Sequence, residues 1–125
     1  MHSTQADVYS RAQVAVLTDR EAEAAVLMKA AAMMKRVQTR WSSPDRDENL
    51  EKALRYNQRL WTYFQVALLD GSNPLPRQIK ENVLRLSAFV DRRVFEVLAY
   101  PSAEKLDILI NINTNIAAGL KGIVR

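Results

Sequence analysis

Apolar residues recur along this chain at spacings of three and four, broken by proline and glycine, and that rhythm predicts helices. Thr18-Asp19-Arg20-Glu21 reads as a capping box that opens a helix running to about Gln38. Residues before Thr18 add a short helix carrying Val8 and Tyr9. Ser43-Pro44 offers an N-cap and a first-turn proline for a second helix, ending near Asp70 before Gly71. Asp45, Asp47 and Glu48 in its first turn complement the helix dipole, a simpler reason for their presence than acid–base chemistry. Pro76 starts a third helix, to about Ala99, and Ser102 caps a fourth, to about Lys121. The connections at 39–43, 71–75 and 100–101 are short, which favours antiparallel neighbours. β-Branched residues form no alternating runs, so no strands are expected. The expected fold is all-α: an antiparallel up-and-down four-helix bundle with a short N-terminal helix, one domain over residues 1–125.

Helical wheels sharpen this picture. The second helix gathers Leu50, Leu54, Trp61, Phe64 and Leu68 on one arc, with Asn57 in its middle. The fourth gathers Leu106, Leu109, Ile110, Ile116, Ala117 and Leu120, with Asn113 in its middle. A lone amide in an apolar arc costs about 1–3 kcal/mol unless it is hydrogen-bonded. Both amides stand near mid-height on helices that run parallel in such a bundle. They are expected either to share one buried polar layer that fixes helix register, or to meet solvent at a bundle edge.

The third helix has more apolar surface than one core requires. Ile79, Val83, Leu86, Val90, Val94 and Val97 make one stripe, while Leu84, Ala88, Phe95 and Leu98 lie nearly opposite. Tyr56, Leu60 and Tyr63 similarly flank the core arc of the second helix, and the first adds Met28, Met33 and Met34. Such a surplus points to a groove for a partner helix or to a homodimer interface. The candidate partner-binding residues are Tyr56, Leu60, Tyr63, Leu84, Ala88 and Phe95.

Composition narrows the functional classes. With 48% hydrophobic residues the chain is too apolar for disorder, and its length suits one core. There is no Cys, and the one His is His2, so thiolate chemistry, disulfides and a His-based metal site are not expected. The three glycines are scattered at 71, 119 and 122 and form no phosphate-cradling loop. Asp91 and Glu96 show no partner in the sequence that would tune an acid or base. No enzyme, cofactor or metal is expected. Apolar runs such as Ala24–Met28 and Ala30–Met34 fall far short of the about 20 residues a membrane span needs, and the first residues do not form a signal peptide. A soluble intracellular protein without membrane insertion is the expectation. The net charge is +4, but residues 45–59 carry four acids and four bases. Charged helix faces explain this better than a nucleic-acid stripe.

Against this background Asn57-Gln58-Arg59-Leu60-Trp61-Thr62, then Asn73-Pro74-Leu75-Pro76, then Ile112-Asn113 and Ile116-Ala117-Ala118-Gly119-Leu120 occur in order. The combination resembles the FlaF family of flagellar biosynthesis regulators over about residues 5–122. Arg20-Glu21-Ala22-Glu23-Ala24 is similar to that family's first-helix opening, with Ala22 where a larger aliphatic is usual. The resemblance implies a small cytoplasmic protein needed for flagellin production and secretion. Such a protein acts with, and in opposition to, the translational regulator FlbT. It also binds flagellin as a chaperone-like factor that aids export, and contact with an export-apparatus component stays open. Asn57, Trp61, Pro76 and Asn113 match the family motif and read as architecture: core anchor, helix start and register. The alternative is an RNA-binding regulator of flagellin message acting through Lys35, Arg36, Arg40, Arg92 and Arg93.

Overall fold

The computed structural model describes residues 5–123, with side chains described from residue 20 to residue 122. Four helices account for nearly all of it: α1 (Gln5–Thr39), α2 (Arg46–Leu69), α3 (Arg77–Ala99) and α4 (Leu106–Ile123), the last entered through a 3₁₀ turn at Ala103–Lys105. No strand occurs among the described residues, and none of their helices is long and apolar enough to cross a membrane.

The expected short N-terminal helix is not a separate element. α1 continues unbroken through Thr18-Asp19-Arg20-Glu21, so the capping-box pattern sits inside a helix rather than at its start. The physical reason is that no glycine or proline precedes Pro44, so nothing interrupts helix propagation. The side chains of Val8 and Tyr9, and all of His2, lie outside the described residues. The second helix also begins later than Ser43-Pro44 predicts. Asp45 takes the N-cap position, while Ser43 and Pro44 belong to a turn closed by Arg46 N–H donating to Ser43 O at 3.1 Å. Pro76 holds the N-cap position of α3, one residue before its first helical turn.

Each helix runs antiparallel to its sequence neighbour. Gln38, at the end of α1, donates to Ala103 O (2.9 Å) and to Asp107 Oδ1 (2.6 Å) at the start of α4. Lys29 of α1 stands over the Tyr56 ring of α2 at 5.2 Å. Gln65 of α2 donates to Asp91 Oδ2 of α3 at 3.1 Å and also reaches Ser87 Oγ. That contact gives Asp91 the partner its sequence context lacked. α1 packs chiefly on α4 and on α2; α3 leans on α2 and barely touches α4. α2 and α4 are therefore diagonal, and side chains alone join them.

That diagonal carries the polar layer. Asn113 Nδ2 donates to Asn57 Oδ1 at 2.7 Å and to the Leu27 carbonyl of α1 at 3.4 Å, and Trp61 Nε1 donates to Asn113 Oδ1 at 3.0 Å. Trp61, Asn57, Asn113 and Leu27 are all sealed from solvent. The shared layer, rather than an edge position, is what the fold adopts. Around it pack the predicted arcs: Leu50, Leu54, Phe64 and Leu68 of α2, and Leu106, Leu109, Ala117 and Leu120 of α4. Ile110 and Ile116 are only half-buried, and Ile112 takes a core place instead, because α4 turns its strongest contact towards α1. On α3, Val90, Val94 and Val97 are buried, whereas Val83 and Leu86 are half-buried and Ile79 is exposed. The thin α3–α4 seam leaves that stripe incompletely covered.

Asparagine and aspartate side chains shape the α2–α3 connection. Asp70 Oδ1 accepts from Ser72 N–H (2.9 Å) and Ser72 Oγ (2.8 Å). Asn73 Nδ2 donates to Ala67 O (3.1 Å), and its Oδ1 accepts from Leu75 N–H (3.0 Å). In the α1–α2 connection Arg46 stacks on the Trp41 ring at 4.5 Å.

Two predictions follow from these contacts. Trp61→Phe keeps an aromatic ring but strands the Asn113 acceptor and leaves a void where the indole was, and urea denaturation is expected to show a loss of at least about 1–3 kcal/mol with an unchanged slope. The Asp45 carboxyl is held down by the Ser43 hydroxyl and the Asn49 side chain, and Asp70 by the Ser72 N–H and hydroxyl. Both carboxyls should titrate below the ordinary value of 3.8 in a carbon-detected NMR experiment. With folded values depressed, their stabilisation is complete above the unfolded value and is lost as pH falls through the folded one.

Candidate interaction groove

The long tyrosines and the short alanines of two adjoining helices leave a depression between them. Tyr56, Leu60 and Tyr63 of α2 face Ala22 and Val26 of α1 across a groove of about 600 Å³. Phe64 and Ala67 line its far end, where Asn73 and Pro74 of the α2–α3 connection close it. The small side chain of Ala22 leaves it wide on the α1 side. Tyr63 is 65% exposed and its ring meets that of Phe64 edge-on at 6.1 Å. Phe64 in turn stands edge-on to the buried Trp61 at 5.8 Å, so the groove wall is braced directly against the core.

Leu60 requires a correction. At 9% exposure it belongs to the core cluster, so it forms the groove floor rather than a free contact surface. Its place at i+4 from Tyr56 misleads because α1 lies over that flank of α2. Tyr56 is half-buried for the same reason, with Lys29 above its ring.

The other three candidates stand elsewhere. Phe95 is 75% exposed and Ala88 exposed on the outer side of α3, while Leu84 is half-buried. Gln65 bonds α2 to Ser87 and Asp91 of α3 on the flank of α2 turned away from the groove. The six residues therefore make two separate surfaces, and the α1–α2 one alone is a walled groove. Of the four motif residues, Asn57, Trp61 and Asn113 form the buried layer, while Pro76 is exposed at the start of α3.

Sequence reasoning overlooked Arg20 and Asn73. Arg20 reads as part of a cap but is 6% exposed, pairs with Glu23 at 3.0 Å and lines the groove. The available signal for Asn73 is the Asn-Pro-Leu-Pro run itself, whose first side chain bonds both sides of the turn.

Lys35 and Arg36 lie at the end of α1 and Arg40 in the turn after it, whereas Arg92 and Arg93 lie on the diagonal helix α3. Lys35 donates to Gln38, and Arg93 pairs with Glu96 at 3.4 Å while standing over the Phe89 ring. Among the described residues no cluster of three or more His, Cys, Asp or Glu side chains could hold a metal ion.

Comparison with known proteins bears on this arrangement. No curated protein and no solved structure matches the chain. Residues 5–120 match the family described as "Flagellar protein FlaF". That span takes in the full buried amide layer, both walls of the groove and the Asn73 turn that closes it. The chain belongs to the FlaF family of flagellar proteins.

Proposed function

We propose that this protein binds flagellin in the α1–α2 groove, shielding an amphipathic helix of it before export and so promoting flagellin synthesis and secretion. The observation that carries this reading is the groove itself. It has an apolar floor at Leu60 and Phe64, an aromatic rim at Tyr63 that solvent reaches, and a small residue, Ala22, on its α1 side. Grooves of this build take the apolar face of a helix through side chains spaced at three and four residues. Flagellin's terminal segments form such helices in the filament, and unpaired in the cell their apolar faces self-associate unless covered. Membership of a flagellar family supports that choice of partner. The basic excess of the chain would speed encounter with an acidic segment, by an amount that salt screens.

The test is affinity capture of flagellin by variants whose circular dichroism matches the wild type. Tyr63→Glu places a charge on the rim and is expected to weaken capture about tenfold or more. Phe95→Glu, on the separate α3 surface, is expected to leave it unchanged. Full capture by Tyr63→Glu would remove the groove from consideration, and loss only in Phe95→Glu would move the site to α3.

A further inference from the structure

Beside the groove, sharing Arg20, Glu23, Phe64, Ala67 and Asn73 with it, lies a second hollow of about 240 Å³ bordered by all four helices. Its walls are almost wholly apolar: Leu75, Ile79 and Val83 on one side, Ile116, Gly119 and Leu120 on the other. Two features keep it open. α3 leans on α2 and barely touches α4, and here its Ile79 is exposed and Val83 only half-buried. Gly119 contributes no side chain, and a Cβ built there would meet nothing within 4 Å. An apolar void forfeits the dispersion contacts its lining would otherwise make, and one of about 150 Å³ already accepts a benzene ring. This hollow has room for one large apolar side chain.

Charge at the same junction describes what else the occupant carries. Arg20 is more than nine-tenths buried, lines both spaces and has one ion-pair partner among the described residues, Glu23. Arg59 lines the groove from α2, and Lys29 lies beside it over Tyr56. Glu23 also lines both spaces, so the two arginines outnumber one carboxylate along this path, which suits an acidic partner. The same excess opposes a second copy of this chain, whose own net charge is +4.

We propose that the hollow is an anchor hole. The partner helix lying in the groove inserts one bulky apolar side chain past Phe64 and Ala67, and an Asp or Glu about one turn along it meets Arg20 and Arg59. This rests on the flagellin reading above and specifies the recognised segment: an amphipathic helix with a large apolar residue three or four places from an acid.

Calorimetric titration of flagellin into the full-length protein tests it. Gly119→Leu fills the hollow from α4, and its melting temperature is expected to equal or exceed the wild type's, since leucine is the better helix former. Its affinity for flagellin is expected to fall about tenfold or more. Ile79→Trp fills the hollow from α3 and guards against misfolding of the first variant, while Gly122→Leu, outside the lining, should bind as the wild type does. Arg59→Glu should weaken binding and flatten the salt dependence that the wild type shows. Folded Gly119→Leu and Ile79→Trp proteins that bind with wild-type affinity overturn the hole but leave the groove, which Tyr63→Glu reports separately. A wild-type affinity indifferent to salt overturns the acidic residue. No binding by the wild type removes flagellin as partner and this inference with it. Self-association abolished by Gly119→Leu would instead make a second copy the occupant.

Discussion

The Trp61–Asn113–Asn57 hydrogen-bond chain is the constraint on which the rest of this molecule depends. Apolar side chains pack almost equally well at neighbouring registers, since a helix shifted by one turn still presents leucines and alanines to its partner. Amides in a dry core allow no such freedom, because each displaced donor or acceptor costs about 1–3 kcal/mol. Asn113 therefore locks α4 against Leu27 of α1 and against Asn57 and Trp61 of α2 at one height. The layer also ties the diagonal pair together, which helix packing alone leaves with little contact.

That register determines where the groove is. About two turns from the amide layer along α1 and α4 lie Arg20 and Leu120, and one turn along α2 lies Phe64, all lining the same hollow. A one-turn slip would carry Arg20 away from Ala67 and Asn73 and expose it elsewhere. The family motif thus contributes in two ways, with Arg59, Leu60, Asn73 and Pro74 lining the groove and the buried residues fixing its walls. Asn57, Trp61 and Asn113 position the walls, and Asn73 ties down the connection that closes one end.

The loose attachment of α3 is the other shaping feature. Its inner stripe of Val90, Val94 and Val97 is buried, but nearer its start Val83 and Ile79 are progressively uncovered. This gradient follows from the thin seam with α4, and it is why the helix has apolar side chains on more than one face. The surplus noted in the wheels is of two kinds: Phe95 stands outward on its own, while Ile79 and Val83 surround a space.

The fold class, the four main helices, the inward arcs of α2 and α4 and the presence of a buried amide layer were readable from residue order, because they depend on periodicity of 3.6 and on proline and glycine as breakers. The continuity of α1 was readable too, had the absence of breakers before Pro44 been weighed above a local capping pattern. What residue order could not disclose is which flank of each helix its neighbours cover. Leu60 and Tyr63 look alike on a wheel, yet α1 buries the first and leaves the second in solvent; Arg20 looks like a surface charge until the ends of three other helices surround it. Those outcomes depend on unequal packing between pairs of helices, a property of distances in space that no local spacing encodes.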